Sequence, residues 1–276
     1  MEYGVRDTLT TAKKQLLNAN VPNAVNDAEF LLAYVLGVSR SQLIQQQYLS
    51  KDQYDIYVKL IERRALRESM DSLIGFTDFL DIRIPFSVDV LSPRQETELM
   101  VDNIIRENSD REKLDILDLC TGSGCIGLAL CRHLNANVTL ADISDSAIEN
   151  AKNNAQLNQL EARFVISNLF DNIEGDFDII VSNPPYIPSK EIELLEKEVL
   201  DYDPILALDG GCDGLEFYRE IISKSVQFLR PDGRIYLEFG INQAQEIYDL
   251  MKGKFTDIEI VKDYSGIERY IKGKRI

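Results

Sequence analysis

The sequence is poor in the residues that build metal centres and redox sites. It has one histidine and four cysteines in 276 residues. The histidine, His133, falls near the end of a predicted helix and reads as a surface residue rather than a catalyst. The cysteines, Cys120, Cys125, Cys131 and Cys212, show no Cys-x-x-Cys spacing, and three of them fall in or beside one turn-helix segment. They are expected to be small buried apolar residues in a reducing compartment, holding neither a metal nor a disulfide framework. No apolar run approaches the roughly 20 residues of a membrane span. The start, Met1 to Asp7, lacks the basic and apolar blocks of a signal peptide. A soluble, cytoplasmic protein with no membrane partner is the expectation.

Positive charge is also short. The net charge is −16, and it is uneven: residues 1–85 carry 10 basic and 11 acidic side chains, the remainder 20 and 35. An acidic second half argues against gripping a DNA backbone, which is bound through Lys and Arg neutralising phosphates. It suits a partner with a basic surface, although solubility alone would also account for it.

With 45% hydrophobic residues the chain can bury a sizeable core in one or two domains. Residues 5–70 read as helices: an apolar face from Val25 to Leu36 closed by Gly37, a second start at Ser41, and a longer helix from Asp52 through Arg67. Leu73–Leu80 and Ile82–Val88 read as a hairpin. Ser92-Pro93-Arg94-Gln95 has the pattern of an N-cap, a first-turn proline and a capping box. Arg94, Glu96 and Glu98 then read as a solvated helix start.

From there strand and helix alternate. Strands are predicted at Lys113–Leu119, Asn137–Ala141, Arg163–Ser167, Phe177–Ser182, Gly233–Phe239, Asp257–Lys262 and Glu268–Lys272. Helices are predicted at Cys125–Leu134, Ser146–Leu157, Gly214–Leu229 and Asn242–Gly253. This is the pattern of a parallel sheet with helices on both faces. Only Asp263–Ile267 separates the last two strands, too little for a crossover, so they must pair antiparallel.

Two strand ends carry polar chemistry. After Phe177–Ser182 the chain stops at Asn183-Pro184-Pro185-Tyr186. Two prolines cannot donate to a ladder and restrict the residues before them, so the chain is held extended at the strand's carboxyl end, where open α/β sheets bind ligands. Asn183 offers a side-chain acceptor, Pro184 its carbonyl, and Tyr186 a flat apolar face: together, a grip for a planar –NH2 group. A plain strand-exit turn would explain the prolines alone. After the first strand, Gly122, Gly124 and Gly127 spell Gly-x-Gly-x-x-Gly at a strand-turn-helix junction, and Asp142 follows 20 positions later at the next strand's end. That pattern serves a dinucleotide such as NAD, with the acid on the ribose. It serves S-adenosylmethionine equally, where an acidic residue such as Asp118 closes the first strand. The turn alone does not choose between them.

Asp118-x-x-x-Gly122-x-Gly124 followed by Asn183-Pro184-Pro185-Tyr186 resembles class I methyltransferases acting on a planar nitrogen. The wider pattern resembles the HemK/PrmC methyltransferases over nearly the whole chain. Leu73-Ile74-Gly75 and Pro93 to Glu98 match that family's linker signatures, Asp203 to Leu215 the segment after its catalytic loop, and Asp263 to Arg269 its terminal hairpin. Cys120 stands where the family often has a glycine, Leu169 where it often has an aromatic residue, Ser92 for an isoleucine, and Asp71-Ser72-Leu73 for a Pro-x-x-Tyr start.

The resemblance implies an α/β fold, the class I S-adenosylmethionine-dependent methyltransferase fold, Rossmann-like with a mostly parallel seven-stranded sheet. It implies an N-terminal helical substrate-positioning domain over 1–72, a β-hairpin linker over 73–91 and the methyltransferase domain over 92–276. The implied reaction methylates the side-chain amide of the glutamine in the Gly-Gly-Gln loop of class-1 peptide chain release factors. Cys120, Thr121, Gly122, Ser123 and Gly124 would wrap the methionine half of the cofactor, Asp142 would hold the ribose, and Asn168 and Leu169 would lie by the adenine. Asn183, Pro184, Pro185 and Tyr186 would bind the glutamine, with Asn183 also beside the cofactor; no metal is needed. Ribosomal-protein glutamine methylation shares this chemistry. A nucleic-acid adenine methyltransferase would need a basic groove, and an NAD-dependent oxidoreductase would leave Asn183 to Tyr186 unexplained.

Overall fold

The computed structural model describes residues 3–87 and 89–276. Met1, Glu2 and Val88, the last being the expected end of the second hairpin strand, lie outside the described residues. The chain divides into two compact units, residues 3–74 with 196–202, and residues 75–195 with 203–276, Val88 apart.

The first unit is a helical bundle. A two-residue strand β1 (Tyr3–Gly4) leads into α1 (Val5–Asn18) and α2 (Ala24–Leu36); Gly37 closes α2 in a left-handed conformation, φ 68°. A 3-10 turn at Arg40–Gln45 replaces the helix expected from Ser41, followed by β2 (Tyr48–Leu49), which pairs with β1. The helix α3 (Lys51–Ala65) starts one residue before Asp52 and ends two short of Arg67, because Ser50 and Gln53 form a reciprocal capping box. Leu16, Ala28, Leu31, Leu32 and Ile61 fill the core, and the Tyr57 hydroxyl donates to Ala28 O at 3.0 Å.

Inside this apolar core sits a charge cluster. Arg64 is buried and donates through Nε to Asp27 Oδ2 at 2.8 Å; its Nη1 reaches Glu198 Oε1 at 3.2 Å. Arg67 meets the same Glu198 at 2.5 Å. Glu198 belongs to a one-turn helix, Lys197–Leu200, far along the chain yet part of this unit.

The short helix α4 (Met70–Ile74) ends the contiguous part of the bundle. It occupies residues expected to open the hairpin: Ser69 Oγ accepts the Ser72 N–H and Ser69 O the Leu73 N–H, so Leu73 and Ile74 finish a helical turn, and Gly75, φ 78°, releases the chain. The hairpin proper is β3 (Phe76–Phe79) and β4 (Ile82–Pro85).

In the second unit, α5 (Gln95–Asn108) begins later than Ser92-Pro93 suggests, with Arg94 as N-cap and no side-chain cap. Ser92 is buried short of the helix start and the Arg94 side chain is drawn into an ion pair with Asp203, so neither side chain caps the helix. Nor is the helix start merely solvated: Glu98 Oε1 accepts the Leu80 N–H at 3.1 Å, tying α5 to the hairpin. The alternating elements follow: β5 (Leu114–Leu119), α6 (Cys125–His133), β6 (Ala136–Asp142), α7 (Asp145–Leu157), β7 (Arg163–Ile166), β8 (Phe177–Ser182), α8 (Glu216–Phe228), β9 (Leu229–Glu238), α9 (Ala244–Met251), β10 (Phe255–Lys262) and β11 (Glu268–Arg275). Expected and observed ends differ most in β9, which starts four residues early and pairs with β8 across a register shift.

These strands form one sheet in the order β10-β11-β9-β8-β5-β6-β7. All neighbours are parallel except β11, which runs antiparallel to both β9 and β10. Alternation splits each central strand between two cores. Leu114, Ile116, Ile179 and Val181 face one, with Leu128 and Ile104; Leu117, Leu119 and Ile180 face the other, with Tyr218 and Ile247. The order reverses between β5 and β8, which opens a crevice at their carboxyl ends.

His133 ends α6 and meets Asp81 at 2.7 Å. Of the cysteines only Cys125 is fully buried; Cys120 and Cys131 are partly so, and Cys212 is exposed, on a surface turn rather than in a core. No helix among the described residues is long and apolar enough to cross a membrane.

Removing Asp27 would leave buried Arg64 with only the longer contact to Glu198, which Arg67 shares. Asp27→Ala is therefore expected to destabilise the protein by about 3 kcal/mol, read as a lower denaturant midpoint; an unchanged midpoint would remove the pair from the bundle's stability.

Candidate active site

A cavity of about 180 Å³ opens at the crevice. Cys120, Thr121, Gly122 and Ser123 line it from the turn after β5, Asp142 from the end of β6, Asn168 and Leu169 from the turn after β7, and Asn183 and Pro185 from the turn after β8. Gly124, Pro184 and Tyr186 do not line it. The cavity also takes in residues with no expected place in the site: Ile143, Leu206, Phe217, and Arg94, which was expected at a solvated helix start. For Ile143 a signal existed: an apolar residue directly after the ribose-type acid of a strand end, and it is 52% exposed. Arg94 and Leu206 lie in segments that match the family's signatures, Pro93 to Glu98 and Asp203 to Leu215, but those matches assigned them no place at the cavity; for Phe217 there was no signal.

The turn after β5 is braced from beneath. Asp118 lies on the buried face of β5 and does not reach the cavity; its Oδ2 accepts from Thr121 Oγ1 at 2.5 Å and from the Gly127 N–H at 2.9 Å. Its Oδ1 is buried with no hydrogen-bond partner. Burial pushes this carboxyl up to about 7, against the two hydrogen bonds that favour its ionised form. Cys120 is held left-handed, φ 56°, a conformation glycine adopts without strain. Nothing lies within 4 Å of where a Cβ on Gly122 would stand, so this backbone presents bare peptide to the cavity.

Asp142 is satisfied by the loops around it. Oδ2 accepts the Gly122 N–H at 2.9 Å and Oδ1 the Ser144 N–H at 3.0 Å, and burial raises its pKa. Each oxygen keeps a second lone pair, so hydroxyl donors could still bind it. Leu169, buried and left-handed at φ 46°, is held by Ser167 Oγ donating to its carbonyl at 2.8 Å. Asn168 is exposed at the rim.

The turn after β8 is clamped by the side chain of Gln243 and by closely packed glycine backbone. Tyr186 O accepts from Gln243 Nε2 at 2.9 Å, and Gln243 also reaches Gly214 O and the Gly240 N–H. Ile187 bridges to Asp209, with the Gly210 N–H donating to Ile187 O at 2.8 Å. A Cβ on Gly210 would stand 2.7 Å from Tyr186 Cα, and one on Gly214, φ 75°, would stand 2.3 Å from Tyr186 O. This is why the stretch from Asp209 to Gly214 is so rich in glycine.

Asn183 is half-buried, and its Nδ2 donates to Glu238 Oε1 at 2.9 Å across the ends of β8 and β9. Glu238 is buried, and its Oε2 has no hydrogen-bond partner. The Tyr186 hydroxyl is pushed up to about 12, first by burial and then by Glu238. Glu238 carries no motif signal and was missed.

A bare peptide turn, a carboxylate with free lone pairs and apolar flanks at Ile143 and Leu169 fit a nucleoside-bearing ligand. Among the described residues no group of three or more His, Cys, Asp or Glu side chains is placed to hold a metal.

Comparison with known proteins gives the family and the fold. A family model described as PrmC N-terminal domain matches residues 7–75, and one described as Methyltransferase small domain matches residues 86–201. The protein of Agrobacterium fabrum named Release factor glutamine methyltransferase is 37% identical over 97% of this chain and 96% of its own length. That of Geobacter sulfurreducens is 35% identical over 99% and 97%. Among solved structures, a methyltransferase from Pyrococcus furiosus matches with a TM-score of 0.52 at 17% identity, covering 80% of this chain and 98% of that one; the fold is shared.

Two outcomes are expected. A side chain at Gly214 must displace Tyr186 O, so Gly214→Ala should cost about 1–3 kcal/mol, read by thermal unfolding; an unchanged melting point would mean the clamp is slack. Asp118, at about 7 when folded against an ordinary aspartate value of 3.8, binds more protons folded than unfolded between those values. Its contribution to stability is then lost as pH rises through that window. Asp118→Asn should shrink the fall in melting temperature between pH 5 and pH 8, and an equal fall in both proteins would refute this.

Proposed function

The chain belongs to the release factor glutamine methyltransferase family. From that we propose that it moves a methyl group from S-adenosylmethionine to the side-chain amide nitrogen of a glutamine in a class-1 peptide chain release factor. The observation that carries this reading is Asn183: its Nδ2 is engaged by Glu238, so its Oδ1 is free to accept from an –NH2 group at the cavity's edge.

S-adenosylmethionine supplies, when bound, an electrophilic methyl group on a positively charged sulfur. The remaining work falls to this chain. Cys120 to Gly124 would wrap the methionine half, with Gly122 giving close backbone approach. Asp142 would accept from the ribose hydroxyls through the lone pairs that Gly122 and Ser144 leave open. Ile143, Leu169 and Asn168 would flank the adenine.

An amide nitrogen is a weak nucleophile because its lone pair is delocalised into the carbonyl. Asn183 Oδ1 and the Pro184 carbonyl would each accept one N–H of the glutamine amide, which fixes the nitrogen's direction of approach. Pro184 and Pro185 make that carbonyl rigid, and Tyr186 would lie against the amide plane. Holding reactants in line contributes several kcal/mol in general, and acceptors aimed at a nitrogen gaining positive charge add to it. The new N–C bond would form as the S–C bond breaks, the sulfur would leave as a neutral thioether, and the amide nitrogen would lose one N–H proton to solvent, so the scheme calls for no Ser, Cys or His nucleophile.

The two units would take distinct roles: the helical one, 3–74 with 196–202 and not simply 1–72, would position the substrate protein, and the other would carry the chemistry, with the hairpin of β3 and β4 as its link. The acidic charge of the second half suits a basic substrate surface and opposes DNA.

Asn183→Ala should leave S-adenosylmethionine binding by calorimetry nearly intact and cut single-turnover methylation of a release factor at least tenfold, read by mass spectrometry. Unchanged turnover, or calorimetric binding of NAD in place of S-adenosylmethionine, would overturn the assignment.

A further inference from the structure

Asn183 can grip an –NH2 group only if its carboxamide faces the right way round. Turned over, it would aim its own Nδ2–H2 at the substrate's N–H groups. Its neighbours along the chain do not decide this, since prolines follow and Ser182 turns its hydroxyl to Leu119 O. The contact that distinguishes the two ends of the carboxamide is the 2.9 Å hydrogen bond from Nδ2 to Glu238 Oε1. Asn183 Oδ1 makes no hydrogen bond among the described residues.

We propose that Glu238 is a positioning residue for methyl transfer: as a buried carboxylate it accepts only, and so forces Asn183 to present Oδ1 to the substrate amide. This rests on the reading of the site as a glutamine methyltransferase. A carboxylate has no proton to offer, so the reverse orientation would set Asn183 Oδ1 against Glu238 oxygen. The negative charge also polarises the Asn183 carboxamide, making Oδ1 a stronger acceptor for an amide nitrogen that turns positive.

The surroundings hold Glu238 in place and leave it poised. Its own carbonyl accepts from the Tyr218 hydroxyl at 2.7 Å, which fixes the strand end. Around the carboxyl stand Thr97 and Glu96 from the start of α5, Arg269 from β11, Cys125 from the start of α6, Tyr218 from α8, and Asn183 and Tyr186 from the turn after β8. Arg269 is already engaged, at 2.7 Å from Asp263 and 3.6 Å from Glu96, so no cation is dedicated to Glu238. Burial, seconded by Glu96, lifts it to about 7, while Thr97, Arg269 and Asn183 pull the other way. Below that value a protonated Glu238 can donate to Asn183 Oδ1, and the carboxamide is free to turn over.

The sign follows. The competent form is ionised, so methyl transfer rises with pH; an ionised fraction climbing from about one tenth at pH 6 to about nine tenths at pH 8 gives a rise of roughly ninefold. The test is single-turnover methylation of a release factor with saturating S-adenosylmethionine from pH 6 to 8, alongside NMR of the Asn183 side-chain amide in the wild-type protein. The expected result is a rate that climbs severalfold, with the Asn183 amide signals shifting at the same midpoint. Glu238→Gln, which can offer either end, should cut the rate at least fivefold and flatten its pH profile, with cofactor affinity within about threefold. Asp118 also titrates near 7, and the Gln variant separates the two because it leaves Asp118 untouched.

A flat wild-type profile, unmoved Asn183 signals, or a Gln variant with the wild-type rate and profile would each overturn the proposal. If Glu238→Gln does not fold, the two wild-type measurements decide alone. A wild-type protein that methylates no release factor at any pH would defeat the parent reading instead, and this one with it.

Discussion

The site depends on how closely the backbone after β8 is packed by chain that has no side chain to interpose. Two prolines make Asn183 to Tyr186 stiff, but stiffness alone does not place a peptide. Placement comes from Tyr186 O held by Gln243, Ile187 bridged to Asp209, and glycines at 210 and 214 lying against Tyr186 at distances no other residue permits. The grip on an amide is then a property of fixed backbone. The contacts that lock loop and strand end together all lie within the chain, which is the form of preorganisation that costs least at the moment of reaction.

Two carboxyls are buried without a dedicated cation, and they do different jobs. Asp118 turns inward and ties the glycine turn to the first turn of α6 through Thr121 and Gly127. Glu238 turns toward Asn183. Each keeps one oxygen with no partner, an arrangement that costs stability and is expected where a protein holds geometry at a site. The bundle's buried charges, by contrast, are paired: Arg64 has Asp27 and Glu198.

Much of this was legible in the residues. Alternation of apolar runs and helical periods gave the sheet and its helices, and the short span from Asp263 to Ile267 fixed the antiparallel final pair. The strand-end motifs located the crevice, and the lining from Cys120 to Ser123 with Asp142, Asn168, Leu169, Asn183 and Pro185 falls around one cavity. Local capping was less legible. Ser92-Pro93-Arg94-Gln95 has every local feature of a helix start, yet a long-range ion pair from Arg94 to Asp203 and burial of Ser92 override it. Leu73 and Ile74 carry strand propensity but finish a helical turn capped by Ser69. Asp118 was legible as the acid that closes the first strand, but not as the brace of the turn that follows. Glu238 and Gln243 left no trace in the sequence, because their importance lies in which distant strand end they meet.

Glu198 has a further consequence for how this protein can be cut and recombined. The helical bundle is discontinuous in sequence: seven of its residues, 196–202, are encoded more than a hundred positions after the rest. A fragment that stops at the end of α4 would keep Asp27 but lose the carboxylate shared by Arg64 and Arg67. Two guanidinium groups would then share less negative charge than the fold was built around. Modular exchange of the two halves between relatives would therefore need to carry that short insert along with the amino-terminal part, or to replace Arg64 and Arg67 in the same step.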